Sequence, residues 1–270
     1  MDHQKLLEKL NTSPTYRRQI KAWLKSGYMD GEKLFPTNEG TPQGGVASPL
    51  LANIALHGME KFLKDCAPYI VDMRDKRGHQ KARSTRTRSL NVIRYADDLI
   101  VLHEDRQVVE KCKEILEMWL KEIGLEFKES KTQIVHTLKK TNKESGFNFL
   151  GFQIRQFPVS KYETGHNPSG VRLGFKTIIE PSKEAIKRHH LNLKEVISKH
   201  KGKSQTELIQ TLNPKIRGWC NYYRAVCSKE SFYRLDMLMW QSLWAWAKRR
   251  HPNKGKYWVT NKYWKTAGND

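Results

Sequence analysis

The sequence predicts an α+β fold in which helices and antiparallel hairpins give way to an all-helical bundle. Three observations carry that expectation. Up to about residue 157, short β-prone runs bounded by turn residues alternate with amphipathic helical stretches. From about residue 180 the apolar residues recur at helical spacing alone. Lys and Arg outnumber Asp and Glu by 49 to 28, yet 38% of the 270 residues are hydrophobic, enough to bury a core under a strongly basic surface.

The elements follow in order. Leu6, Leu7 and Leu10 share one face of an opening helix. Ser13-Pro14 starts a second helix that carries Tyr16, Ile20, Trp23 and Leu24 and stops at Gly27. Asp30-Gly31, between Tyr28-Met29 and Leu34-Phe35, reads as a tight hairpin turn. Gly40 to Gly45 is a loop, after which Ser48-Pro49 caps and begins one helix bearing Leu51, Ile54, Met59 and Phe62. Residues 74–88 hold Arg74, Lys76, Arg77, Lys81, Arg83, Arg86 and Arg88 with little apolar content, so a solvated loop able to close on phosphates is expected. Asn91–Ala96 and Leu99–Leu102 read as two buried strands of a hairpin around Asp97-Asp98. Val108, Cys112, Ile115, Leu116, Trp119 and Ile123 form an amphipathic helix ending at Gly124. Gln133–Leu138 and Phe147–Phe157 look like a further strand pair.

Ser182 then opens a helix with Ile186, Leu193 and Ile197, and Ser204-Gln205-Thr206-Glu207 is a capping box for the next. Pro214 offers a kink before Ile216, Trp219, Tyr223 and Val226. A third helix starts near Ser228 and carries Phe232, Leu235, Leu238, Met239 and Trp246. These make a three-helix bundle, and the last twenty residues do not close a domain.

A formal net charge of +21 repels itself in a compact chain, and a polyanion partner relieves it by releasing counterions. Cys66, Cys112, Cys220 and Cys227 form no CxxC, so no zinc site is expected, and Cys112 and Cys220 read as buried reduced thiols. The polar start MDHQKLLEKL lacks a signal-peptide core, and the apolar run from Leu50 to Leu56 is too short to span a bilayer. An intracellular, soluble chain with no membrane partner is expected.

Tyr95-Ala96-Asp97-Asp98 is the sharpest chemical signal. Adjacent carboxylates at a hairpin tip repel unless a cation sits beside them. Mg²⁺ suits such a place, because it takes one or two carboxylates together with substrate phosphates. Two such ions can activate a 3′-hydroxyl and stabilise a pyrophosphate leaving group. An ordinary solvent-facing Asp-Asp turn is the alternative on these four letters alone. Gly44-Gly45 lets a backbone approach a base or phosphate closely, Gln43 can bond nucleotide edges, and the helix starting at Pro49 aims its N–H groups at the same region. The loop lacks the GK[ST] ending of a nucleotide-hydrolysing P-loop. Lys131 can place a charge near a pyrophosphate or be a plain surface lysine, and Gly151 marks either a bulge or a close backbone approach. Arg217, Trp219, Tyr222 and Tyr223 mix cations with aromatic faces as single-strand binders do, although the spacing of Trp219 and Tyr223 fits a core better.

Taken together the motifs resemble those of reverse transcriptases of the group II intron type. Ile93–Asp98 resembles the catalytic core, Thr41–Asn53 the template- and nucleotide-contacting segment, Ser130-Lys131-Thr132 the lysine-bearing segment, and Phe149–Phe152 the primer grip. Leu212–Trp219 with Asn221-Tyr222-Tyr223 is similar to the thumb, or maturase X domain. The ordered motifs cover about residues 1–250. The resemblance implies a partial right-hand palm without fingers over residues 1–157, connecting strands over 158–180, a helical thumb/X bundle over 181–250, and the start of a truncated DNA-binding region over 251–270. It implies Asp97 and Asp98 as catalytic and metal-binding residues with two Mg²⁺. Pro42, Gln43, Gly44, Gly45, Tyr95, Ala96 and Lys131 would contact nucleotide or template, Leu150 and Gly151 the primer, and Arg83, Arg86, Arg88, Lys215 and Arg217 the RNA. The implied partners are a group II intron RNA, an RNA template with a DNA primer, and dNTPs, in a bacterial cytoplasm or an organelle.

The family uses a third carboxylate, which by this alignment falls before Met1. A chain truncated at both ends, or one piece of a split gene with a complementing polypeptide, is therefore expected, with impaired synthesis. The alternative function is a non-catalytic, RNA-binding splicing cofactor. The form of Pro42–Gly45 and the thumb motif argue against retron, CRISPR-associated or diversity-generating relatives.

Overall fold

The computed structural model of the protein describes residues 1–30, 33–37, 40, 46–139, 145–167 and 170–264. The chain forms two compact units, Met1–Ile134 and Val135–Asp270, where the sequence placed its first boundary at residue 157.

In the first unit, α1 (His3–Lys9) starts at Asp2, whose carboxylate accepts the backbone N–H groups of Gln4 and Lys5. The Lys5 N–H is the main reason that the Asp2 carboxyl lies below its ordinary range. Leu6 and Leu7 of α1 and Leu24 of α2 (Pro14–Lys25) bury against Leu51 and Ala55. Strands β1 (Tyr28–Asp30) and β2 (Lys33–Phe35) pair antiparallel, as expected, but Asp30 pairs with Lys33 rather than forming the turn, and Gly31 lies outside the described residues. The single helix expected after Ser48 is two, α3 (Ser48–Leu56) and α4 (Met59–Ile70). They are separated at His57-Gly58, where Gly58 takes φ +88°, a conformation that ends a helical run. Ala47, not Ser48, occupies the cap position, and Ser48 is already helical.

The basic stretch is only partly a loop. Asp75 accepts the N–H groups of Arg77 and His79, closing a turn that an Arg74–Gln80 bridge flanks. Residues Arg83–Ser89 then form α5, which buries no residue and so lacks the apolar stripe by which a helix is read. Arg86 donates to the Pro68 carbonyl and ties α5 to α4.

Strands β3 (Asn91–Tyr95) and β4 (Asp98–Leu102) form the expected hairpin. It is half-buried rather than buried. Val92, Leu99 and Val101 pack on the core of α4 and α6 (Arg106–Glu122), whereas Ile93 and Tyr95 face outward. That core holds Leu63, Leu90, Cys112 and Leu116. Burial pushes the Cys112 thiol up to about 11.

In the second unit, β5 (Phe147–Phe149), β6 (Phe152–Pro158) and β7 (Phe175–Pro181) make an antiparallel sheet in that order. The expected partner strand Gln133–Leu138 is irregular. It lies beside the sheet through the N–H of Gly146 to the His136 carbonyl and that of Gln156 to the Thr137 carbonyl. The run Phe147–Phe157 instead folds back on itself at Leu150-Gly151, and β7 takes the outer place.

Helix α7 (Lys183–Lys199) is capped by the Ser182 hydroxyl, and α8 (Gln205–Tyr223) opens with the expected Ser204–Glu207 capping box. Helix α8 runs through Pro214 without interruption. Helices α9 (Lys229–Arg250) and α10 (Lys256–Tyr263) complete the unit. Val259 is fully buried among Leu193, Ile197, Leu208, Leu212, Trp246 and Ala247, with Tyr263 and Trp264 packed against them. No helix among the described residues is long and apolar enough to cross a membrane.

Candidate functional site

The β3–β4 register pairs Tyr95 with Asp98, so Ala96 and Asp97 alone form the turn. Ala96 takes φ +53°, a left-handed conformation that L side chains avoid. Arg94 holds it there. Its Nη1 donates to the Ala96 carbonyl at 2.9 Å and to Asn53 Oδ1 at 3.0 Å, and its Nε lies 3.5 Å from Glu60 Oε1. The guanidinium thus fastens the turn to α3 and α4 with only 13% of the side chain exposed. Sequence reasoning missed Arg94. The available signal was strand alternation, which sets it on the inward face with Val92, opposite Ile93 and Tyr95.

Asp97 and Asp98 are both exposed at this tip, with Tyr95 and Ala96 exposed beside them. Among the described residues no group of three His, Cys, Asp or Glu side chains gathers to enclose a metal. Two adjacent carboxylates open to solvent instead fit a divalent cation whose remaining ligands are substrate phosphates and water. Pro42, Gln43, Gly44 and Gly45 lie outside the described residues; the helix that follows them, α3, is the one that Arg94 grips. Lys131 is exposed in a turn after α6, its N–H bonded to the Lys128 carbonyl.

Leu150 and Gly151 belong to the second unit and form the two-residue β5–β6 turn, at φ +50° and +82°. Positive φ at both central residues is the primed hairpin geometry that suits twisted strands. The Leu150 carbonyl accepts the Tyr222 hydroxyl at 2.9 Å, and that of Gly151 accepts the Tyr223 hydroxyl at 3.2 Å and the Ser182 N–H at 2.8 Å.

The cations divide by role. Arg86 is half-buried and committed to the Pro68 carbonyl, Arg83 lies over the Tyr69 ring at 5.6 Å, and Arg88 is exposed. Lys215 and Arg217 are exposed on α8. Tyr223 is buried as its spacing suggested, while Trp219 is half-buried between His189, stacked at 4.9 Å, and Tyr223. Burial foremost, then His190 and Lys215, holds the His189 imidazole below its ordinary range.

A helix-and-hairpin unit that presents paired carboxylates, joined to a basic helical unit, fits the palm and helical domain of a nucleic acid polymerase. The profile of the reverse transcriptase (RNA-dependent DNA polymerase) family matches residues 1–154, and that of the group II intron, maturase-specific domain matches residues 186–264. The chain therefore belongs to the reverse transcriptase family, as a group II intron reverse transcriptase/maturase. It is 26% identical over 263 residues to the group II intron-encoded protein LtrA of Lactococcus lactis, covering 76% of this chain and 42% of that one. Protein YkfC of Escherichia coli (strain K12) is 31% identical over 147 residues, covering 48% of this chain and 36% of its own length. An uncharacterized 91 kDa protein in the cob intron of Schizosaccharomyces pombe is 26% identical over 283 residues, covering 85% and 34%. The chain spans less than half the length of these relatives. The family implies a divalent metal, and the comparisons lend no support to a complementing polypeptide.

Proposed function

We propose that this chain is the palm and thumb of an RNA-directed DNA polymerase that also binds its group II intron RNA in splicing and retrohoming. The observation that carries the reading is the Arg94-braced Ala96-Asp97 turn, which presents two exposed carboxylates within the segment matched by the reverse transcriptase family. Asp97 and Asp98 would hold two Mg²⁺ jointly with dNTP phosphates. When bound, such ions would raise the acidity of a primer 3′-hydroxyl and stabilise charge on the departing pyrophosphate. Ala96 keeps the tip small enough for a primer end to approach, and exposed Tyr95 borders it. Pro42, Gln43, Gly44 and Gly45 would contact nucleotide and template, Lys131 would supply charge near the pyrophosphate, and Leu150 and Gly151 would contact the primer. Arg83, Arg88, Lys215 and Arg217 are exposed, and as cations they would neutralise RNA phosphates. We assign residues 1–157 to the palm and 181–250 to the helical thumb, in a bacterial cytoplasm or an organelle.

The test separates chemistry from binding. Asp97→Ala should abolish whatever Mg²⁺-dependent dNTP incorporation the chain supports on a primed RNA template. Its RNA affinity should stay within about twofold, because one exposed carboxylate opposes rather than assists phosphate binding. Reversing Arg83 and Arg88 to Glu should weaken RNA binding and flatten its salt dependence. Equal losses of RNA affinity in both variants would sink this division of roles.

A second reading, a non-catalytic splicing cofactor, draws on the maturase-specific match over residues 186–264 and the exposed cations of α8. It expects RNA binding and splicing to survive Asp97→Ala with no synthesis in either protein.

A further inference from the structure

Two consecutive tyrosine hydroxyls meet two consecutive carbonyls at the β5–β6 turn. Tyr222 donates to Leu150 and Tyr223 to Gly151, from the last turn of α8. Burial explains only one of them. Tyr223 is 4% exposed, whereas Tyr222 is 52% exposed and still directs its hydroxyl at the turn. Phe152, the first residue after the turn, stacks on Tyr222 at 5.1 Å and meets Tyr223 edge-on at 5.0 Å. The turn itself is strained, since Leu150 stands at φ +50°. A residue other than glycine persists there when its surroundings over-determine it. A Cβ on Gly151 would lie 2.6 Å from the Tyr223 hydroxyl, so glycine is required by the close approach as well as by φ +82°.

We propose that Tyr222 and Tyr223 are positioning residues that fix the Leu150-Gly151 turn to α8, so that the maturase-specific domain sets where a primer terminus is held. The primer part rests on the reading of that turn as the primer contact. The turn closes the segment matched by the reverse transcriptase family, and the tyrosines lie within the maturase-specific match, so the hydroxyl pair is a direct bond between the two. Helix α8 also carries exposed Lys215 and Arg217, so phosphate contacts there and the turn share one rigid element. Burial raises the Tyr223 phenol above its ordinary value, which keeps it a donor through the physiological range.

The experiment uses the full chain with Tyr222→Phe and Tyr223→Phe, singly and together, which keeps both rings. Amide hydrogen exchange at residues 150–152 and at Ser182, which bonds Gly151, should accelerate at least tenfold in the double variant while α9 is unchanged. Exchange within twofold of the parent overturns the bracket. Affinity for a primed RNA template should fall about tenfold, against less than twofold for the same RNA without primer. Faster exchange with an unchanged ratio overturns the primer part alone and leaves the tyrosine bracket standing. Gly151→Ala adds an independent arm: it should loosen the turn, and Tyr223→Phe in that background should recover part of the loss by vacating the space. Purely additive losses overturn the contact.

Discussion

Removing the Arg94 side chain tests how the carboxylate-bearing turn is held. Arg94→Ala deletes two hydrogen bonds from a charged donor, to the Ala96 carbonyl and to Asn53 Oδ1, and one near contact with Glu60. Bonds to charged groups contribute about 1.5–3 kcal/mol each when the abandoned partner stays dry. Here it does not. Ala96 and Asn53 are exposed and Glu60 is 38% exposed, so all three acceptors rehydrate. That puts each bond nearer to about 1 kcal/mol and the ion pair at the low end of about 0–1 kcal/mol. A loss of about 2 kcal/mol follows, or about a thirtyfold rise in opening of the hairpin. A global melt averages over both compact units, whereas hydrogen exchange at Val92 to Ile100 reads the hairpin directly. Arg94→Lys keeps the charge without the fork and should fall between. If exchange in Arg94→Ala stays within about twofold of the parent, the turn is held by its strands alone and the bracing argument fails.

Two further outcomes follow from packing and titration. Gly146 stands at φ +91°, and a Cβ there would press on the Ile154 carbonyl oxygen and sit 3.1 Å from Arg155 Cα. Backbone cannot swing aside, so Gly146→Ala should destabilise the second unit by about 2–4 kcal/mol, read by urea unfolding of the Trp246 environment. Cys112 is buried with its thiol raised from about 9 to about 11. The unfolded chain therefore loses that proton first as pH rises, so its share of stability is whole below pH 9 and lost by about pH 11. Cys112→Ala should flatten the pH dependence of unfolding over that window, and exposed Cys227 should be alkylated well before Cys112 at neutral pH.

The hairpin of the site was legible because its signal is local. Two short β-prone runs, Asn91 to Ala96 and Leu99 to Leu102, flank the two acids, and the turn falls one residue earlier than that pair, at Ala96-Asp97, with Asp98 already in β4. The helical unit was legible through caps, Ser182 and Ser204 above all, whose hydroxyls accept the expected N–H groups. What escaped has a common cause. Helix α5 has no apolar stripe, and its anchor is the Arg86 bond to Pro68. The break at His57-Gly58 interrupts a periodicity that continues across it, from Leu51 and Ile54 to Met59 and Phe62. The β5–β6 fold-back hides because Leu150 occupies a position that turn chemistry assigns to Asn, Asp or Gly. Helix α10 buries little besides Val259, Tyr263 and Trp264, too few positions to announce a period.

Leu150 and Ala96 are the residues other than glycine that take positive φ among those described. Each stands at the tip of a two-residue hairpin. A left-handed L residue costs about 1–2 kcal/mol that glycine would avoid. Neither tip is left to bear that cost unaided. The carbonyl of Ala96 is held by Arg94 and that of Leu150 by Tyr222, each at 2.9 Å. A glycine tip would be relaxed but free to pivot, whereas a Cβ-bearing tip clamped at its carbonyl has one orientation. The clamps come from different sources, a strand neighbour in one unit and helix α8 in the other. Only the second clamp lies within the maturase-specific match, while the Asp97 tip is braced within its own unit.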